Sequence, residues 1–288
     1  MNVAIIGTGL MGRPMGERIM NANHRLIAYN RTPEKAKPLA FLGADVVSIP
    51  AEAIASSECV VLMLADAQAI RETLLQKDAL GSVAESTVIQ MGTISPEESI
   101  TIQGEILRAG GDYFEAPVLG SIPQAEKGEL IVMVGSTSEQ FGRWSDLLRC
   151  FGPDPVLIGP VGHAAALKLA LNQLIASLTA AFALSLNFLE RKEIDLDLFM
   201  KILRKSALYA PMFDKKLERM IERDYANPNF PAKHLAKDID LFLNEAKPLR
   251  LQTVGLEGVR QLVQMTLTRG WAETDYSALF QVISQGVG

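Results

Sequence analysis

Several residue types are scarce in this sequence, and each shortage excludes a class of protein. Only two cysteines, Cys59 and Cys150, occur in 288 residues. They stand far apart in apolar stretches, so they read as reduced, buried thiols and not as a disulfide framework or a zinc site. No metal centre is expected. Basic charge is not in excess either: the net charge is -5, which gives no general attraction to a phosphate backbone or an anionic lipid surface. Nucleic acid and membrane are therefore not expected partners. Of the three histidines, His24 precedes the second expected strand and His163 follows a Gly-Pro segment. Histidine-based chemistry is possible in principle with these two and His234, but His24 and His163 read as packing residues.

The N-terminal Met1-Asn2-Val3-Ala4-Ile5-Ile6 has no basic leader and no long apolar core, so a cytoplasmic protein starting at Met1 is expected. One stretch, Leu169 to Phe188, lacks formal charge and is long enough to suggest a membrane span. Asn172, Gln173, Ser177, Thr179, Ser185 and Asn187 interrupt it, and its alanine-rich faces suit a packed helix inside the protein. No internal repeat or low-complexity segment is present.

What the chain does contain divides near its middle. Up to about residue 160, short β-branched runs alternate with amphipathic stretches, the pattern of a parallel sheet covered by helices. Strands are expected at 2–6, 25–29, 59–64, 87–91, 113–118, 129–134 and 155–158. Helices are expected at 11–22, 33–41, 67–75 and 96–109. Beyond Val161 the runs 164–190, 196–205, 211–223, 234–246 and 253–268 all read as helical. The Gly159-Pro160-Val161-Gly162 segment marks the change. The expected organisation is an α/β domain over residues 1–162 and an all-helical domain over residues 163–288.

The string Gly7-Thr8-Gly9-Leu10-Met11-Gly12 follows the first strand and opens a helix, the context that gives a GxGxxG string its meaning. Gly7 allows the tight turn, Gly9 lets a pyrophosphate approach the backbone, and Gly12 lets helix and strand pack closely. A doubly wound Rossmann sheet binding a dinucleotide is the expectation. The second strand ends in Tyr29-Asn30-Arg31-Thr32, without the carboxylate that usually receives the adenosine ribose hydroxyls of NAD. A guanidinium between two small hydrogen-bonding side chains suits a ribose 2′-phosphate instead. NADPH is thus expected over NADH, and the missing acid also weighs against a methyltransferase.

Three further segments carry candidate chemistry. Met91-Gly92-Thr93-Ile94-Ser95-Pro96 ends a strand and begins a helix; Thr93 is either part of a capping turn or a contact to the nicotinamide half. Leu119-Gly120-Ser121 is either an ordinary turn or a holder for a carboxylate, with Gly120 exposing N–H groups and Ser121 a hydroxyl. Lys168 and Asn172 lie one helical turn apart in an apolar stretch, so they share a face. Such a lysine either reaches out to solvent or is held in a cleft for use.

Together these motifs resemble the β-hydroxyacid dehydrogenase family, over essentially the whole chain to Asp275-Tyr276-Ser277-Ala278. The resemblance implies a 6-phosphogluconate dehydrogenase-like architecture with an active site between the domains, and a homo-oligomer. It implies that Lys168 is catalytic, that Asn172 helps place the substrate, that Gly120 and Ser121 belong to the substrate loop and that Thr93 lies near the nicotinamide. It also implies cofactor and substrate contacts from Phe230 and from Lys237 and Asp238. The Leu119-Gly120-Ser121 triplet departs from the Ser-Gly-Gly of the 3-hydroxyisobutyrate branch, and with Arg31 and the Glu115-Ala116-Pro117-Val118 lead-in it is more similar to the glyoxylate/succinic semialdehyde reductase branch. The expected reaction is NADPH-dependent reduction of a small carboxylate-bearing aldehyde, with Lys168 as proton donor. The alternatives are an NAD(P)-dependent 3-hydroxyisobutyrate or tartronate semialdehyde enzyme, and an inactive dinucleotide-binding interaction module. Imine reductases usually lack the lysine, and 6-phosphogluconate dehydrogenases are much longer.

Overall fold

Alternating side chains of the first strand enter two different cores. In the computed structural model, which describes residues 1–285, β1 (Asn2–Ile6) sends Val3 and Ile5 into one cluster and Ala4 and Ile6 into another. β2 (Arg25–Tyr29), β4 (Cys59–Leu62), β5 (Thr87–Gln90) and β6 (Asp112–Glu115) alternate likewise, with Phe114 on one side and Tyr113 on the other. Near-continuous apolar runs are what a sheet covered on both faces requires. Helices Gly12–Asn21 and Ser138–Leu148 cover the first face through Met15, Ile19, Trp144 and Leu148. Helix Pro96–Arg108 covers the second through Ile102 and Ile106.

With β3 (Asp45–Val46), β7 (Val118–Leu119), β8 (Ile131–Gly135) and β9 (Val156–Gly159), the described residues form a nine-stranded sheet of order β3-β2-β1-β4-β5-β6-β8-β7, β9 pairing with β8. β1 pairs in parallel with both β2 and β4, so the chain reverses its direction of winding beside β1. That is the crevice at which open α/β sheets bind ligands. The expected strand 113–118 is two strands broken at Ala116-Pro117, where Pro117 has no N–H to give a ladder; both pair antiparallel with β8 in one register, Glu115 with Gly135 and Val118 with Val132. The expected helix 33–41 is likewise broken, into a 3₁₀ turn Pro33–Lys35 and a helix Lys37–Phe41. The break falls at Ala36, just before Pro38, which lacks the N–H that a continuous helix would donate to Glu34.

The chain divides into two compact units, Met1–Leu169 and the part from Ala170 onward. The long helix His163–Arg191 runs through that division. By length and composition it could cross a membrane, but Ala176, Phe182, Ala183 and Leu186 belong to the core of the second unit. Its Asn187 amide donates to Ala183 O at 2.9 Å and Phe280 O at 3.3 Å. The second unit adds helices Leu196–Leu203, Pro211–Glu222, Ala232–Ala246, Val254–Thr268 and Leu279–Gln285. Its centre is an ion pair: Lys216 Nζ lies 2.8 Å from each oxygen of Asp275 and 4.2 Å from the Tyr276 ring centroid.

Candidate active site

The three glycines of the first turn differ in what requires them. Gly7 has φ +98°, and a Cβ there would lie 2.4 Å from Met63 O. At Gly12 a Cβ would lie 1.9 Å from Gly7 O. Both are demanded by the protein's own backbone. A Cβ at Gly9 would meet nothing within 4 Å, so that surface is bare for a group outside the chain. Helix Gly12–Asn21 has no side-chain cap and no acid in its first turn, leaving its positive end to an anion. Thr8 adds a buried hydroxyl with no hydrogen-bond partner among the described residues. An open glycine surface, an uncapped helix start and an orphaned hydroxyl together fit a dinucleotide pyrophosphate. Leu10 is exposed on the same turn, and Met11 forms the helix N-cap.

Asn30 braces this turn from the end of β2. Its Oδ1 accepts the Thr8 N–H at 2.9 Å, and its amide donates to Thr32 O at 2.9 Å. The Arg31 side chain is 81% exposed, with Nη1 3.5 Å from Glu72 Oε2, a loose surface pair that leaves the guanidinium accessible. Thr32 is exposed and begins the 3₁₀ turn without a side-chain capping bond.

After β5, buried Gln90 holds the loop that carries Thr93. Its amide donates to Gly92 O at 2.9 Å and its Oε1 accepts Gly92 N–H at 2.8 Å. Thr93 is half-buried, and Ser95 closes a capping box with Glu98. Beyond β7, Gly120 has φ +141°, where a side chain would be strained and would strike Leu130. Ser121 caps helix Ile122–Lys127: its N–H and Oγ both point to Gln124 Oε1, at 3.1 and 2.8 Å.

The last residue of β6, Glu115, is buried and points its carboxylate at the start of the long helix. Oε1 accepts the N–H of Gly162 at 2.8 Å and of Ala165 at 2.9 Å. The Ser99 hydroxyl donates to Oε2. Burial pushes the Glu115 carboxyl above its usual range, while Ser99 and the N–H groups of Ala165, Gly162 and Ala164 oppose that shift. Lys168 follows within this helix and is 8% exposed.

In the second unit, Asn172 is buried, and its amide donates to buried Asp238 Oδ2 at 2.6 Å. Asn172 Oδ1 and Asp238 Oδ1 make no hydrogen bond among the described residues. Lys237 Nζ is 3.0 Å from Asp238 Oδ1, at ion-pair distance though not in hydrogen-bonding geometry. Phe230 meets Tyr276 edge-on at 5.6 Å and lies parallel to His234 at 6.4 Å. Burial, with Lys237 and Lys233 nearby, pushes the His234 imidazole below its usual value.

The structure therefore brings Gly7–Gly12, Asn30–Thr32, Thr93, Gly120 and Ser121 to the carboxyl edge of one sheet, and Glu115 fastens the start of the Lys168 helix to the same edge. Asn172, Phe230, Lys237 and Asp238 belong to the helical unit, where Asn172 and Asp238 meet. Gln90 and Glu115 were not among the expected site residues. The available signal was a polar or charged side chain ending a strand that is otherwise buried, where it needs partners.

A family model described as the NAD binding domain of 6-phosphogluconate dehydrogenase matches residues 2–159. A second, described as the NAD-binding domain of NADP-dependent 3-hydroxyisobutyrate dehydrogenase, matches residues 162–283. The chain is 30% identical over 286 residues to 2-hydroxy-3-oxopropionate reductase of Escherichia coli, covering 98% of this chain and 97% of the relative. It is 28% identical to glyoxylate/succinic semialdehyde reductase 2 of Arabidopsis thaliana, covering 98% and 79%. A solved 3-hydroxyisobutyrate dehydrogenase from Salmonella typhimurium shares the fold at TM-score 0.89 and 22% identity, covering 98% and 99%.

Proposed function

Because the chain belongs to the β-hydroxyacid dehydrogenase family and is an NAD(P)-dependent oxidoreductase of hydroxyacid type, we propose that it reduces a small carboxylate-bearing aldehyde with NADPH. Succinic semialdehyde and glyoxylate are the candidate substrates. The observation that carries this reading is the buried Lys168 with Asn172 one turn further along the helix. A buried lysine retained beside an amide has a use other than solvation.

The bound nicotinamide nucleotide supplies the hydride. Lys168, as the ammonium, hydrogen-bonds the carbonyl oxygen and transfers its proton as that oxygen becomes anionic, leaving a neutral amine that solvent reprotonates. Such general-acid assistance is typically worth about 10²–10⁴ in rate, and the ammonium charge acts most strongly where negative charge develops. The N–H and hydroxyl of Ser121 exchange Gln124 Oε1 for the substrate carboxylate. Asn172, held by Asp238, orients the substrate with its remaining acceptor. Arg31 selects NADPH by pairing with the 2′-phosphate in place of Glu72, and Lys237 and Phe230 complete the contacts. Exposed Leu184 and Phe188 on the long helix support self-association.

Tartronate semialdehyde is the second reading, favoured by the 30% identity to the 2-hydroxy-3-oxopropionate reductase. The test is turnover of glyoxylate, succinic semialdehyde, tartronate semialdehyde and methylmalonate semialdehyde, each with NADPH and NADH. The proposal expects the highest kcat/KM for glyoxylate or succinic semialdehyde with NADPH, and loss of the NADPH preference in Arg31→Asp. Equal use of the two cofactors by the unmodified protein would sink the Arg31 assignment. No turnover of any substrate despite tight NADPH binding would leave the chain a binding module.

A further inference from the structure

We infer that Glu115 is a positioning residue for Lys168, setting the start of the helix that carries the lysine; the inference rests on the reading of Lys168 as proton donor. The first N–H groups of a helix have no partners within it and are usually met by a nearby Ser, Thr, Asp or Asn. The approach to this helix, Gly159-Pro160-Val161-Gly162, offers none of these. The cap comes from 47 residues upstream, where Glu115 Oε1 takes the N–H of Gly162 at 2.8 Å and the same oxygen takes Ala165 N–H at 2.9 Å.

The carboxylate is itself held from its other side. Ser99 donates its hydroxyl proton to Oε2, so at 2.8 Å from Ser99 Oγ the Tyr113 hydroxyl is the donor in that pair. Space is reserved as well: a Cβ at Gly135 would lie 2.5 Å from Glu115 Oε1. Glu115 thereby joins β6, helix Pro96–Arg108 and β8 to the first turn of the long helix.

Lys168 lies one turn beyond the capped N–H groups of that turn. A helix transmits a change at its start as rotation, about 100° for a one-residue slip, and its side chains lean toward the N-terminus. Displacing a reacting group by about 1 Å can cost about 10²-fold in rate. A cap that acted only on stability would lower the melting temperature and leave the turnover of folded enzyme unchanged.

The experiment uses the full chain with Glu115→Ala, Glu115→Gln, Ser99→Ala and Lys168→Ala, measuring kcat, NADPH dissociation constant by fluorescence and melting temperature. Glu115→Ala is expected to lose about 10²-fold in kcat while NADPH affinity stays at the unmodified value. Glu115→Gln keeps an acceptor for Gly162 and Ala165 and is expected to recover most of that loss. If Glu115→Ala does not fold, Ser99→Ala decides, with an expected kcat loss of about five- to tenfold, the equivalent of one ordinary hydrogen bond. Unmodified kcat in folded Glu115→Ala, or in Ser99→Ala where that variant decides, overturns the inference while an inactive Lys168→Ala upholds the catalytic reading. An active Lys168→Ala overturns both.

Discussion

The two units put polar side chains to opposite uses. In the sheet unit, the interior on either face of β1 and β4 is apolar, and the polar groups that matter collect where strands end: Asn30, Gln90, Glu115. Asn30 and Gln90 spend their hydrogen bonds on backbone groups of a loop, and Glu115 takes two backbone N–H groups of a helix start together with the Ser99 hydroxyl. In the helical unit two pairs of polar side chains meet in the interior, Lys216 with Asp275 and Asn172 with Asp238, while Asn187 bonds to backbone carbonyls. A parallel sheet satisfies its own backbone and leaves loops to be braced, whereas packed helices leave side chains to be matched. The first arrangement shapes a cradle; the second holds charges in chosen places.

The largest expected effect falls on the paired interior. Lys216→Met leaves Asp275 buried and unpaired, which should destabilise the protein by about 3–5 kcal/mol, read by urea unfolding. Adding Asp275→Leu should recover much of that loss, because a buried ion pair is often replaceable by apolar side chains. A double variant no better than the single one would contradict this account of the helical unit.

A smaller effect should separate the glycines of the sheet unit. Gly12→Ala collides with Gly7 O and should cost about 3 kcal/mol. A Cβ in Gly9→Ala would meet no other described residue within 4 Å beyond its chain neighbours, so the variant should leave the melting temperature unchanged while weakening NADPH binding. If both variants lose stability alike, Gly9 answers to the fold and not to a ligand.

The smallest effects are pH slopes of opposite sign. The Glu115 carboxyl is raised by burial, so its contribution to stability is full below the ordinary carboxylate value and is lost as pH rises through the folded one. The His234 imidazole is lowered by burial and by Lys237 and Lys233, against the opposing Asp238 and Glu273. Its contribution is full above the ordinary 6.5 and is lost as pH falls through the folded value. Glu115→Gln should flatten the first slope and His234→Asn the second, in melting temperatures measured from pH 4 to 8.

Legibility in the sequence follows the same division. β1 and β2 were readable to the residue because a short apolar run between turn signals suits a buried strand and little else. β3 was not, being two exposed residues, Asp45 and Val46, without a pattern. The glycine turn was readable because its spacing reflects backbone collisions that any chain would suffer. The pairing of Asn172 with Asp238 was not visible from the residues themselves, since a helical period shows which face is apolar but not which polar side chains, 66 positions apart, will meet. Glu115 could be seen only as an acid within an expected strand; its partners at Gly162 and Ala165 come from the sheet topology.

Lys168 is proposed to supply the proton during aldehyde reduction, and single-turnover oxidation of NADPH by succinic semialdehyde or glyoxylate in Lys168→Ala puts that role to the test. A rate lower by about 10²–10⁴ with NADPH affinity unchanged is expected. A rate within twofold of the unmodified protein would contradict it.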